Sequence, residues 1–188
     1  MLKSILNYAH YLIQQSVTKG ETVIDATCGN GNDTLFLSRL VGDEGHVLAF
    51  DIQDKAIDNT KERLSEELRH NVTVIQDSHE NIPKYIDPKL TGHIGGAIFN
   101  LGYLPKGDKK IITKPESTVT ALQESLRVLK TKGLVVLVIY HGHEGGKSEK
   151  NTVLNFVINL DQKKYRVLHY GFINQKNNPP FIVAVQKK

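Results

Sequence analysis

A single cysteine, Cys28, is all the chain contains, so no internal disulfide can form, and no Cys/His cluster stands at zinc spacing. Long hydrophobic runs are missing too. The longest, Leu134–Tyr140, suits a buried strand and falls far short of the roughly 18 apolar residues that span a bilayer. Met1-Leu2-Lys3-Ser4 shows no basic segment followed by an apolar block, so no secretory signal is visible and a cytoplasmic location is expected. There is no internal repeat, linker or low-complexity tract. Neither charge sign dominates: 24 Lys+Arg against 20 Asp+Glu leave +4, which permits nucleic-acid binding without demonstrating it. What remains is an ordinary globular composition over 188 residues, enough for one domain, expected over 1–188, with a substantial core.

The most informative stretch is Thr22–Thr34. An apolar run ends at Asp25, a Gly29-Asn30-Gly31 turn follows, and an apolar-periodic segment (Leu35, Phe36, Leu37, Leu40) begins at once. That order predicts strand, tight turn and helix, with backbone able to approach a ligand closely and free N–H groups at the helix start. A lone Gly-x-Gly is also found in plain α/β turns, and Thr34 stands where a dinucleotide fingerprint wants its third small residue. A second acid, Asp51, ends the next strand about 20 residues on, where such folds place a carboxylate against a ribose diol.

The rest of the chain alternates. A leading helix is expected at about 3–16, with Tyr8 in the core and His10 on the surface, then strands at 22–26 and 46–51 around a helix at 33–41. Asp54 looks like the N-cap of a helix reaching about Leu68, whose inner face carries Ile57, Leu64 and Leu68. Strands follow at 72–76 and 94–99. Thr113-Lys114-Pro115-Glu116 has the form of a capping box opening a helix to about Lys130, with proline at its first position. A strand at 134–140, a further helix, and strands at 165–173 and 181–186 complete seven strands. Alternation of this kind predicts a mostly parallel sheet, and the closing pair an antiparallel pairing at its edge.

Polar residues gather at the predicted carboxyl ends of the strands, where open parallel sheets bind ligands: Asp25, Asp51, Asp77-Ser78-His79, Asn100-Leu101-Gly102-Tyr103 and Tyr140-His141-Gly142-His143. Turn chemistry alone explains the glycines and acids but has less need of paired histidines or a tyrosine. Lys106, Lys109, Lys110 and Lys114 crowd one loop, either as a solvated loop or as an edge that meets phosphates.

Asp25, the Gly-x-Gly turn and Asp51 together resemble the Rossmann-like, class I S-adenosylmethionine-dependent methyltransferases, in which this turn cradles the methionine part of the cofactor and no third glycine is needed. The resemblance implies a three-layer α/β sandwich with a mostly parallel seven-stranded sheet and an antiparallel last strand. It implies a cofactor site of Asp25, Thr27, Cys28, Gly29, Asn30, Gly31, Asn32, Asp33 and Thr34, of Asp51, Ile52 and Gln53 by the ribose and adenine, of Asp77, Ser78 and His79 at the adenine edge, and of Asn100 and Leu101. Asn100-Leu101-Gly102-Tyr103 keeps the Asn and aromatic residue of nitrogen methyltransferases but has neither proline. Asn100 Oδ1 and the Leu101 carbonyl would then accept from an amine while Tyr103 stacks on a base.

Asn-Leu-Gly-Tyr-Leu-Pro, Tyr-His-Gly-His and Phe-Ile-Asn-Gln-Lys-Asn-x-Pro-Pro-Phe narrow this further. With the glycine turn, the whole chain is similar to a small bacterial family long labelled ribosomal RNA methylases, whose members methylate 5-aminomethyl-(2-thio)uridine at the tRNA wobble position. That implies Asn100, Tyr103, His141 and His143 as catalytic residues, one histidine as proton acceptor or base contact. It also implies Asn174, Asn177 and Pro179 as lining the acceptor pocket, the four lysines as meeting anticodon-stem phosphates, and a homodimer. A ribosomal RNA or small-amine methyltransferase, or a non-catalytic RNA-binding module, are the alternatives.

Overall fold

The computed structural model describes residues 1–102, 104 and 112–188. Its elements in order are α1 (Ile5–Ser16), β1 (Thr22–Asp25), α2 (Asn32–Val41), β2 (His46–Asp51), α3 (Asp54–Glu66), β3 (Val72–Gln76), two 3-10 turns (His79–Lys84 and Pro88–Leu90), β4 (Ile94–Leu101), α4 (Pro115–Val128), β5 (Leu129–Ile139), α5 (Gly146–Ile158), β6 (Tyr165–Tyr170) and β7 (Phe181–Lys187). The strands form one sheet in the order β3-β2-β1-β4-β5-β7-β6. β1 to β5 pair in parallel, and β7 runs antiparallel between β5 and β6. The expected α/β three-layer architecture with an antiparallel last strand is therefore the observed one.

Period-two alternation divides the strand side chains between two cores. Leu48, Phe50, Phe99, Leu101, Val135 and Leu137 pack with Leu122 and Leu126 of α4 and Val153 and Val157 of α5. Val47, Ala49, Ile98, Val136 and Val138 pack on the other side with Ile13 of α1, Leu37 and Val41 of α2, and Ile57 of α3. Buried on both faces, β4 and β5 read as nearly unbroken apolar runs. On α1 only Ile5, Ala9 and Ile13 are buried, one stripe at helical spacing, and Tyr8 sits at the rim stacked on Tyr170 at 4.1 Å.

Several local expectations shift. Gln53, not Asp54, caps α3; Asp54 is its first helical residue and accepts from the Gln76 amide on β3. The helix stops at Glu66, and Leu68, in a left-handed conformation, is 76% exposed rather than inward. Proline does open α4, but the capping box does not form: Lys114 is the N-cap, and the Thr113 hydroxyl donates instead to buried Glu149. A buried carboxylate needs its donors more than a solvated helix end does. α4 passes straight into β5 at Leu129, five residues before the glycine-flanked apolar run that marks the strand in the sequence. No helix among the described residues is long and apolar enough to cross a membrane.

The chain steps outward from β1 through β2 to β3, then returns to build β4 and β5 on the other side of β1. The order reverses between β1 and β4, and the crevice beyond their carboxyl ends is where such a sheet binds ligands. Ile13, fully buried between α1 and the sheet, tests how much that helix contributes. Ile13→Ala should cost about 2–5 kcal/mol, read as a lower urea midpoint with an unchanged slope.

Candidate active site

Two adjoining cavities open at the reversal. The first, about 420 Å³, is lined by Asp51, Ile52 and Gln53 beyond β2, by Asp77, Ser78 and His79 beyond β3, and by Lys114 at the start of α4. The second, about 600 Å³, is lined by Leu6 of α1, Cys28 to Asn30, Asn32, Asp33, Tyr140 to His143, and Asn178. Thr27, Gly29, Asn100 and Gly102 line both and form the seam between them. Asn100 donates its backbone N–H to Thr27 Oγ1 at 2.6 Å, which ties the ends of β4 and β1 across that seam.

The glycine turn is held from behind and left open in front. Thr60 Oγ1 of α3 donates to the Gly29 carbonyl, Arg63 Nε to the Asn30 carbonyl, and Asn59 Nδ2 to Asn30 Oδ1. Gly31 has φ +77° and caps α2; a Cβ there would lie 3.0 Å from Thr60 Cα, so only glycine lets α3 come this close. Gly29 N–H donates to Asp51 Oδ2 at 3.1 Å and Gln53 N–H to Oδ1 at 3.1 Å. Asp25 and Thr34 are fully buried and bonded to each other, with Thr34 Oγ1 donating at 2.6 Å; they pin the turn and line neither cavity. Asn59, Thr60 and Arg63 escaped sequence reasoning, because side chains bonding to a distant backbone leave no periodic mark.

Three acids thus surround one turn. Burial, with the charge of Asp33 adding to it, pushes Asp25 up to about 7. Burial also raises Asp51, against three backbone N–H groups that favour its ionised form. Burial and the nearby Asp25 push the Cys28 thiol well up, so Cys28 is no nucleophile at neutral pH. Asp77 goes the other way: the Asn81 amide and Tyr85 hydroxyl hold it below the usual carboxylate range. Its oxygens accept from the Ser78 N–H, Asn81 and Tyr85 of its own loop, at the wall of the first cavity. His79 is buried and its proton affinity lowered by that burial; its Nδ1 lies 3.2 Å from the Ala26 carbonyl, which fixes the proton on that nitrogen.

Around the second cavity, Asn100 Nδ2 donates to Asp33 Oδ2 at 2.5 Å, and Asp33 Oδ1 lies 2.6 Å from His10 Nε2. His10 is therefore no surface residue of the solvated kind; its ring lies flat on Phe36, 3.9 Å away. His141 hydrogen-bonds the Pro179 backbone, and burial, with Lys150 nearby, lowers its proton affinity, so a neutral imidazole lines the cavity. Both nitrogens of His143 lie 2.8 Å from backbone carbonyls, of Tyr140 and Glu144, which ties the ring to its loop at the wall of the second cavity. Leu101 is fully buried and its carbonyl accepts from Tyr140 N–H, placing it under the site. Asn174 and Asn177 are exposed and line neither cavity; Asn178, which does, was not anticipated. Lys114 faces the first cavity, while Tyr103, Lys106, Lys109 and Lys110 lie outside the described residues.

The first cavity suits an adenosine. The Asp51 carboxylate accepts from backbone N–H groups and keeps acceptor capacity for a diol hydroxyl, and beside it Ile52, 55% exposed, offers an apolar side chain for a flat ring. Fold, glycine turn and carboxylate together define a Rossmann-like, S-adenosylmethionine-dependent methyltransferase. A model of the protein family described as "Putative rRNA methylase" matches residues 47–186. Over 99% of this chain and 70% of its relative, the chain is 34% identical to the Arabidopsis thaliana chloroplastic "tRNA (mnm(5)s(2)U34)-methyltransferase". A "putative rRNA-methylase" from Clostridium thermocellum superposes with a TM-score of 0.96 at 47% identity, each chain covered completely. A "putative methyltransferase" from Streptococcus mutans, solved with S-adenosylhomocysteine, does so at 0.91 and 41%, again over both whole chains. The chain belongs to this rRNA-methylase-type family.

Two outcomes check the site. Asp51→Asn should weaken S-adenosylhomocysteine binding by calorimetry about tenfold or more, the scale of a hydrogen bond to a charged group. Asp25, raised in the folded state, binds its proton more tightly there than in the unfolded chain. Its contribution to stability is complete below about pH 4 and is lost as the pH rises to about 7. The wild type should therefore lose stability relative to Asp25→Asn across that window, measured by urea unfolding at each pH.

Proposed function

We propose that this enzyme methylates the primary amine of 5-aminomethyl-(2-thio)uridine at the wobble position of tRNA, giving the methylaminomethyl form. One observation carries the reading: the seam residue Asn100 turns its amide nitrogen to Asp33, so its carbonyl oxygen is the end left to accept from an N–H. A ligand spanning both cavities passes this oxygen, and the Arabidopsis relative's name gives an aminomethyl-derived wobble uridine as that protein's target.

When bound, S-adenosylmethionine supplies an electrophilic methyl group on a sulfonium. The protein's own residues orient and exclude. Asn100 Oδ1 accepts from the amine and points its lone pair along the seam. Proximity and orientation of this kind are worth about 7–11 kcal/mol. Neutral His141, on the wall of the second cavity, is suited to contact the uracil edge or receive a proton. Lys114, at the mouth of the first cavity, offers a cation for backbone phosphates.

Nucleosides from bulk tRNA of a strain lacking the gene should accumulate 5-aminomethyl-(2-thio)uridine and lose its methylated form by mass spectrometry. An unchanged tRNA profile with an unmethylated ribosomal RNA nucleotide would move the substrate there. In the purified enzyme, Asn100→Ala should lower single-turnover methyl transfer by about two orders of magnitude, the loss typical of a positioning donor or acceptor. Its affinity for S-adenosylhomocysteine should change little; the reverse pattern would place Asn100 with the cofactor instead.

A further inference from the structure

Asn100 can serve an amine only if its amide keeps one of its two orientations, and nothing on β4 sets that choice. A carboxamide offers an oxygen acceptor at one end and an N–H donor at the other. Asp33 decides between them, because an ionised carboxylate can only accept. Its Oδ2 takes the Asn100 N–H at 2.5 Å. Asp33 is in turn fixed by His10, whose Nε2 reaches Oδ1 at 2.6 Å while its ring stacks on Phe36 with the planes 5° apart. The Asp33 side chain is 12% exposed and that of His10 29%, so the pair bridges from the cavity wall outward. His10 lies on α1, before the first strand, and lines neither cavity; Asp33 sits in the first turn of α2.

We propose that His10 and Asp33 are a positioning pair that locks the Asn100 amide with its oxygen toward the substrate. The pair thereby selects a methyl acceptor that carries N–H groups over one that offers only lone pairs. The inference rests on the amine reading above. A carboxylate, a thiolate or an unprotonated ring nitrogen meets an oxygen acceptor backed by a second carboxylate, and both repel it. An amine finds a partner for its N–H. As the nitrogen forms its bond to the methyl carbon, the C–S bond breaks with its electron pair going to sulfur. The positive charge passes to the nitrogen, one amide's width from Asp33.

The test is a reciprocal exchange. Asp33→Asn replaces a carboxylate that can only accept by an amide that accepts or donates, so Asn100 is satisfied in either orientation, and Asn100→Asp sets two carboxylates against each other. Each alone should lower the single-turnover rate on aminomethyluridine anticodon stem-loop RNA at least tenfold, with S-adenosylhomocysteine affinity within about twofold of wild type. The double variant restores one amide facing one carboxylate and should regain most of the loss; losses that multiply instead overturn the proposal. His10→Ala should lower the rate without raising the KM for cofactor, and His10→Gln, whose amide can again donate to Asp33, should recover part of it. Equal losses in both overturn the role of His10.

A second measurement needs no substrate. In the full chain with S-adenosylhomocysteine bound, the Asn100 side-chain NH2 should give nitrogen-edited NMR signals protected from exchange, and Asp33→Ala, which leaves no acceptor there, should abolish that protection. Protection that survives Asp33→Ala sinks the pair. Failure of the wild type to methylate the RNA would overturn the functional reading alone, with the NMR result still deciding the orientation.

Discussion

The hydrogen bond from Asn100 N–H to Thr27 Oγ1 is the point on which the site depends. β1 and β4 are neighbours in the sheet, yet the chain leaves them in opposite directions, so their ends would part and open to water. One side-chain hydroxyl closes that gap at 2.6 Å and does so without filling it. Everything that faces a ligand is referenced to this clasp. The glycine turn hangs from Thr27 on one side, and the Asn100 amide, Gly102 and the Thr113–Glu149 bracket follow on the other.

Negative charge is the second organising feature. Asp25, Asp33 and Asp51 converge on one turn, and the fold accommodates their proximity by different means. Asp25 is withdrawn from water and its proton affinity raised; Asp51 is held by backbone N–H groups; Asp33 is flanked by an imidazole and an amide.

How much of this was legible in the sequence follows from the range of the interactions. Strands β2, β4 and β5 announce themselves through apolar runs, because burial on both faces imposes a local composition. The glycine turn and Asp51 are legible for a related reason: left-handed backbone and a strand-end carboxylate belong to short segments. Helix ends were less legible. Thr113 carries a cap's signature, but a partner 36 residues away, Glu149, claims its hydroxyl. His10 could not be read at all. Its partner Asp33 lies 23 positions on, and a polar residue on an amphipathic helix gives no sign of whether it meets water or a carboxylate. His141 and His143 look equivalent in the sequence, but in the fold the first bonds the Pro179 backbone beside Lys150 and the second meets the Tyr140 and Glu144 carbonyls.

Cys28 brings a practical benefit that has nothing to do with catalysis. Its thiol is buried against the turn and strongly disfavours ionisation, so it should resist alkylating reagents and mild oxidants while the fold is intact. With no other cysteine in the sequence, the native enzyme already behaves as a cysteine-free background. A thiol introduced on an exposed helix would be the sole reactive handle. Fluorophores or spin labels could then be attached at chosen positions to follow ligand binding in real time, without first stripping the protein of a residue that lines its second cavity.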